Sequence, residues 1–123
     1  MKLLKKFYKY TKKMGFSKED IQEDKGDGYT LLSFFEEGEK DVLYNVALVF
    51  YEDETVEVLV RKPLCDYDIG NILLKINELN SRCCGVTYLV ANDMLVLKTY
   101  CKTDGEIDVL LRELVKNIYS LNF

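Results

Sequence analysis

The chain has 123 residues, 48% hydrophobic and 31% charged, with one proline and seven glycines; this excludes a disordered or linker-like chain and fits one folded domain over residues 1–123. No apolar run is long enough to span a bilayer, and the lack of histidine removes the commonest general base, the commonest metal ligand and every Ser-His or Cys-His nucleophile pair. The net charge of −4 is unevenly placed: six of 17 basic residues and none of 21 acidic ones lie in the first 13 positions, so the body is acidic and argues against nucleic acid as a partner.

The first segment, Lys2 to Met14, has helical periodicity. Leu3, Leu4, Phe7, Tyr8, Tyr10 and Met14 share one side, while Lys2, Lys5, Lys6, Lys9, Lys12 and Lys13 fall opposite. Gly15 is a natural stop. Its lysines lack the apolar core and cleavage site of a secretory signal. Cys65, Cys83, Cys84 and Cys101 form no C-x-x-C pair and suit reduced thiols in a cytoplasmic protein better than a zinc or thioredoxin-type site.

Ser17 to Gly28 is polar and ends in GDG, the pattern of a solvated loop opened by a short turn at Ser17. Asp20, Asp24 and Asp27 do not form a calcium loop. Counting from Asp20, the positions that need Gly and Glu hold Lys25 and Leu31.

Three strand-like stretches follow, Tyr29 to Phe35, Val42 to Tyr51 and Thr55 to Arg61, with short charged separators that predict an antiparallel meander. The middle one is apolar on both alternations. Val42, Tyr44, Val46, Leu48 and Phe50 share one face, and Leu43, Ala47, Val49 and Tyr51 the other, so both faces ask for cover. In the third, Val56, Val58 and Val60 point inward, while Thr55, Glu57 and Arg61 suit water, with Leu59 the exception. That pattern predicts a strand near a sheet edge or in a one-sided region of the sheet.

Pro63 closes the meander, and Asp66 or Asp68 is placed to cap the next helix. Ile69, Ile72, Leu73, Ile76 and Leu79 form its apolar stripe, which runs to about Asn80, with Asn80 or Gly85 as the left-handed exit. Val86 to Ala91 and Met94 to Cys101 then alternate about Asn92-Asp93, a pair that tolerates the positive φ of a two-residue hairpin turn. The final segment opens with Thr103-Asp104-Gly105-Glu106, read as a capping box. Ile107, Leu110, Leu111, Leu114, Val115, Ile118 and Leu121 make a stripe wider than one monomer's sheet should need, with Asp108 to Arg112 as an i,i+4 pair.

Chemistry is hard to assign. The glycines fit no phosphate loop or dinucleotide fingerprint. Glu36, Glu37, Glu52, Asp53 and Glu54 fall in expected turns, where water keeps carboxylates ordinary. No catalytic, cofactor-binding or metal-ligating residue follows from the sequence.

The fold class is thus α+β, in the order α-β-β-β-α-β-β-α, with one antiparallel sheet packed by helices. In Ile76-Asn77-Glu78-Leu79-Asn80, Gly85-Val86-Thr87-Tyr88-Leu89, Leu95-Val96-Leu97 and the C-terminal helix from Asp104, the chain resembles the YbjN family of bacterial sensory transduction regulators. That family's fold is that of the class I type III secretion chaperones. The resemblance implies a small acidic domain, commonly a homodimer, that binds a segment of another polypeptide on apolar surface, with no catalytic residues. The expected reading is therefore a non-enzymatic interaction module, with Leu43, Val49, Tyr51, Leu59, Leu114 and Ile118 as candidate partner or dimer contacts. The alternative is a membrane-surface module in which the six lysines of residues 1–14 meet anionic lipid or an acidic partner.

Overall fold

Alternating apolar residues build one antiparallel six-stranded sheet in the computed structural model, which describes residues 1–17, 19–37, 42–64, 69–82 and 86–121. The elements are α1 (Lys2–Lys13), β1 (Gln22–Gly26), β2 (Tyr29–Glu37), β3 (Leu43–Tyr51), β4 (Thr55–Pro63), α2 (Ile69–Arg82), β5 (Val86–Ala91), β6 (Met94–Lys102) and α3 (Ile107–Ser120). In the sheet they stand β1-β2-β3-β4-β6-β5. The α+β class and the helix-packed sheet are as the sequence predicts. One strand was not expected: β1 lies in the polar stretch read as a loop, all five of its residues exposed. Asp27-Gly28 makes the hairpin turn that returns it to β2, with Gly28 at φ +81.

Of the two readings of the third predicted strand, β4, the one-sided region holds and the edge does not, because the strand is central and pairs with both β3 and β6. Its polar alternate residues reflect a bare sheet face and not a bare edge. Register makes the two faces unequal. Leu32, Leu48 and Val58 stand in one row, and Phe34, Val46, Val60, Leu97 and Tyr88 in the next. These belong to the core cluster with Leu3 and Phe7 of α1, Ile76 of α2 and Leu110 and Leu114 of α3. Phe7 meets Phe34 and Phe50 at ring distances of 6.1 and 5.6 Å. Helices and core thus share one side of the sheet.

The helix ends differ from expectation. Glu106, the residue before α3, makes no side-chain cap bond, so the capping box does not form. Thr103 instead donates its hydroxyl to the Glu54 carbonyl at 2.7 Å and accepts the Gly105 N–H at 3.2 Å. Asp104 and Gly105, at φ +52 and +81, turn the chain into α3. Arg112 Nε donates to the Asp108 carbonyl, not its carboxylate, at 3.3 Å. At the same end of the fold, the carboxylate of Glu54 accepts the backbone N–H groups of Lys2 at 2.8 Å and Leu3 at 3.0 Å. A residue expected to be idle in a turn therefore satisfies two of the orphan donors of α1, the farther in sequence 52 residues away.

The two sheet edges are treated differently. Asn80, still helical, donates Nδ2 to the Tyr88 carbonyl at 2.9 Å and accepts the Tyr88 N–H at 2.7 Å. It seals the β5 edge rather than serving as a left-handed exit. The β1 edge carries Glu23, Asp24 and Lys25, charges that discourage strand addition. The β5–β6 turn is as predicted, Asn92 and Asp93 both having positive φ, +51 and +60. Asp66, Asp68, Cys65, Cys83, Cys84, Gly85 and the side chain of Ile69 lie outside the described residues.

Candidate interaction surface

Strand alternation that sends one set of side chains into the core sends the other to the opposite face, and no apolar residue there belongs to the core cluster. Rows of directly paired residues cross this face: Leu31, Val49, Glu57 and Tyr100, then Ser33, Ala47, Leu59 and Lys98, then Phe35, Asn45, Arg61, Val96 and Leu89. Among the described residues, no helix packs across them. Phe35 is 61% exposed, Tyr100 58% and Leu43 47%. A bare sheet face carrying exposed aromatic and aliphatic groups is the kind of surface that marks an interaction site.

Polar groups order the face. Glu57 accepts from the Tyr51 hydroxyl at 3.3 Å and pairs with Lys98 at 3.3 Å. Burial pushes the Tyr51 hydroxyl above its usual range, and the nearby Glu57 charge adds to the rise. Tyr100 donates to Thr55 Oγ1 at 2.7 Å, and Thr55 in turn donates to Asp53 Oδ1 at 2.5 Å. Hydrogen bonds from the Thr55 hydroxyl and amide hold the exposed Asp53 carboxyl below its usual range. Arg61 Nη1 reaches Asn45 Oδ1 at 3.4 Å, and Asn45 Nδ2 reaches Ser33 Oγ at 3.5 Å.

Of the predicted contacts, Leu43, Val49, Tyr51 and Leu59 all stand on this face, Leu43 exposed and the others half-buried. Leu114 and Ile118 do not. Leu114 is only 8% exposed within the core, and Ile118 packs against it. The free stripe of α3 is one position further round, at Val115 and Tyr119, exposed to 66% and 71%. Neither residue was singled out as a contact, nor were Phe35 and Tyr100. Strand parity was the signal for the latter pair, since Phe35 alternates with core residue Phe34 and Tyr100 with buried Thr99.

No family model, curated protein or solved structure matches this chain.

Lys2, Lys5, Lys6, Lys9, Lys12 and Lys13 are all exposed on α1. Lys6 Nζ also donates to the Gly105 carbonyl at 2.8 Å, tying α1 to the start of α3. Leu3 and Phe7, the apolar face that would enter a bilayer, are buried in the core. Lipid docking through α1 is left with charge and the exposed Tyr8 and Met14. The structure also contains no helix long and apolar enough to cross a membrane among the described residues.

Two acids depart from the solvated-turn expectation: Glu54 caps α1, and Glu36 is half-buried at the end of β2, its carboxyl pushed up by burial. Cys101 lies half-buried on the helix side of β6, where burial and the Glu113 charge raise its thiol. That shift is opposite to the one that activates a thiolate nucleophile. No group of three or more His, Cys, Asp or Glu among the described residues is placed to hold a metal ion.

Proposed function

We propose that this protein is a non-enzymatic, cytoplasmic interaction module that binds a polypeptide segment on apolar surface and works as a homodimer, as the resemblance to YbjN proteins and class I secretion chaperones implies. The observation that supports this is the bare sheet face. Phe35, Leu43, Leu89 and Tyr100 stay exposed there while every helix packs on the other side. Dimerisation or a bound segment would remove that apolar area from water, at about 25 cal/mol per Å².

The test combines the double variant Phe35→Glu/Leu43→Glu with light scattering after size exclusion and binding to arrays of extended peptides. Both positions are exposed, so the variant keeps its core. The expected result is a dimeric wild type that retains apolar peptides and a monomeric variant that retains none. A monomeric wild type that retains no peptide refutes the reading.

A further inference from the structure

A cavity of about 140 Å³ opens between α1, α3 and the end of β2. Four aromatic residues line it, Phe7, Tyr10, Phe16 and Phe34. Phe34 lies 6.1 Å from Phe7 and 6.3 Å from Phe16, with interplanar angles of 34° and 66°. The rings are tilted against one another, as the walls of a cage are, rather than stacked. The volume is close to that of an apolar protein cavity of roughly 150 Å³ that accepts benzene.

Among the described residues, one charged side chain joins this lining. Glu36 follows Phe34 on the helix-facing side of β2, and its half-buried carboxyl is pushed up by loss of water. The ion pairs formed among the described residues are Arg82 with Glu78 and Lys98 with Glu57, so none of them engages Glu36. An aromatic cavity holding a carboxylate repels anions and leaves that charge uncompensated beside a neutral hydrocarbon. A compact cation with an apolar surface suits both parts, because aromatic rings attract it over their faces and the carboxylate supplies the counter-charge.

We infer that this cavity is a binding site for a small alkylammonium compound, with Glu36 as counter-ion and Tyr10, Phe16 and Phe34 as cage walls. The site is separate from the bare sheet face, because its walls come from the helix side of the sheet. Its occupancy does not depend on the proposed polypeptide binding. Val115, exposed on α3, and Met14, exposed after α1, border the opening.

The test titrates the full chain with choline and with its neutral isostere 3,3-dimethylbutan-1-ol, following ring and methyl resonances by NMR at constant ionic strength. Choline is expected to give saturable shifts at Phe16, Phe34 and Ile118, and the neutral isostere to bind about tenfold more weakly. Glu36→Gln should weaken choline binding by a similar factor while leaving the isostere unchanged. Val115→Trp, a surface change that plugs the mouth, should abolish both. Failure of choline to saturate, equal affinity for the isostere, or choline affinity unchanged in a folded Glu36→Gln protein overturns the assignment.

Discussion

Replacing Glu54 tests how far the fold is tied together at one turn. Its two carboxylate oxygens accept the N–H groups of Lys2 and Leu3 at 2.8 and 3.0 Å, while its backbone stands at φ +64. Loss of a helix N-cap costs about 1 kcal/mol. Loss of a negative charge at the positive end of the helix dipole adds roughly 0.3–1 kcal/mol, so Glu54→Ala should destabilise by about 2 kcal/mol. Glu54→Gln keeps one acceptor oxygen and should cost about 1 kcal/mol, in line with the net value of one hydrogen bond. Glu54→Gly loses the cap but relieves the left-handed backbone, worth about 1 kcal/mol, so it should be milder than alanine. Urea titration followed by far-UV circular dichroism reads all three, since a loss of about 2 kcal/mol shifts the midpoint by roughly 1 M. An alanine variant within about 0.5 kcal/mol of wild type would falsify the capping argument. A glycine variant as unstable as alanine would refute the backbone part.

Asn80→Ala removes two hydrogen bonds to the Tyr88 backbone. The cost is about 1–2 kcal/mol after alanine's better helix propensity is counted, with the Tyr88 amide exchanging its proton at least roughly tenfold faster. Unchanged exchange at that amide would show that the β5 edge is held by other contacts. Glu36→Gln should change stability in a pH-dependent way. Burial raises the folded-state pKa of Glu36 above its unfolded value, so the wild type keeps this group's contribution below the unfolded pKa and loses it as pH rises through the folded pKa. The glutamine variant, which cannot ionise, should gain on wild type across that same window. A stability difference that stays constant from acid to neutral pH contradicts the sign.

Local pattern makes most of the architecture readable in the sequence. Leu3 and Phe7 recur at helical spacing, Val56, Val58 and Val60 alternate, and Asn92-Asp93 tolerates the positive φ its turn requires. What escaped depends on partners distant in sequence. β1 buries no side chain, so hydrophobic periodicity carries no trace of it, and only Asp27-Gly28 signals its hairpin. Thr103 and Glu106 have the spacing of a capping box, yet the Glu54 carbonyl, 49 residues away, takes the threonine hydroxyl. The candidate surface was legible where it followed alternation, as at Leu43 and Leu59. It failed at Leu114 and Ile118 because a wide helical stripe does not say which of its flanks meets the sheet, whereas Val115 and Tyr119 show which flank is left over.

Placing every helix on one side gives neighbouring positions of the same strand opposite duties. Along β3, Val46, Leu48 and Phe50 are committed to holding the molecule together, whereas Asn45, Val49 and Tyr51 answer to whatever lies outside. Tolerance to substitution should rise and fall with a two-residue beat along β3 and β4. Evolution can rewrite the outward-facing letters of these strands without renegotiating the inward-facing ones.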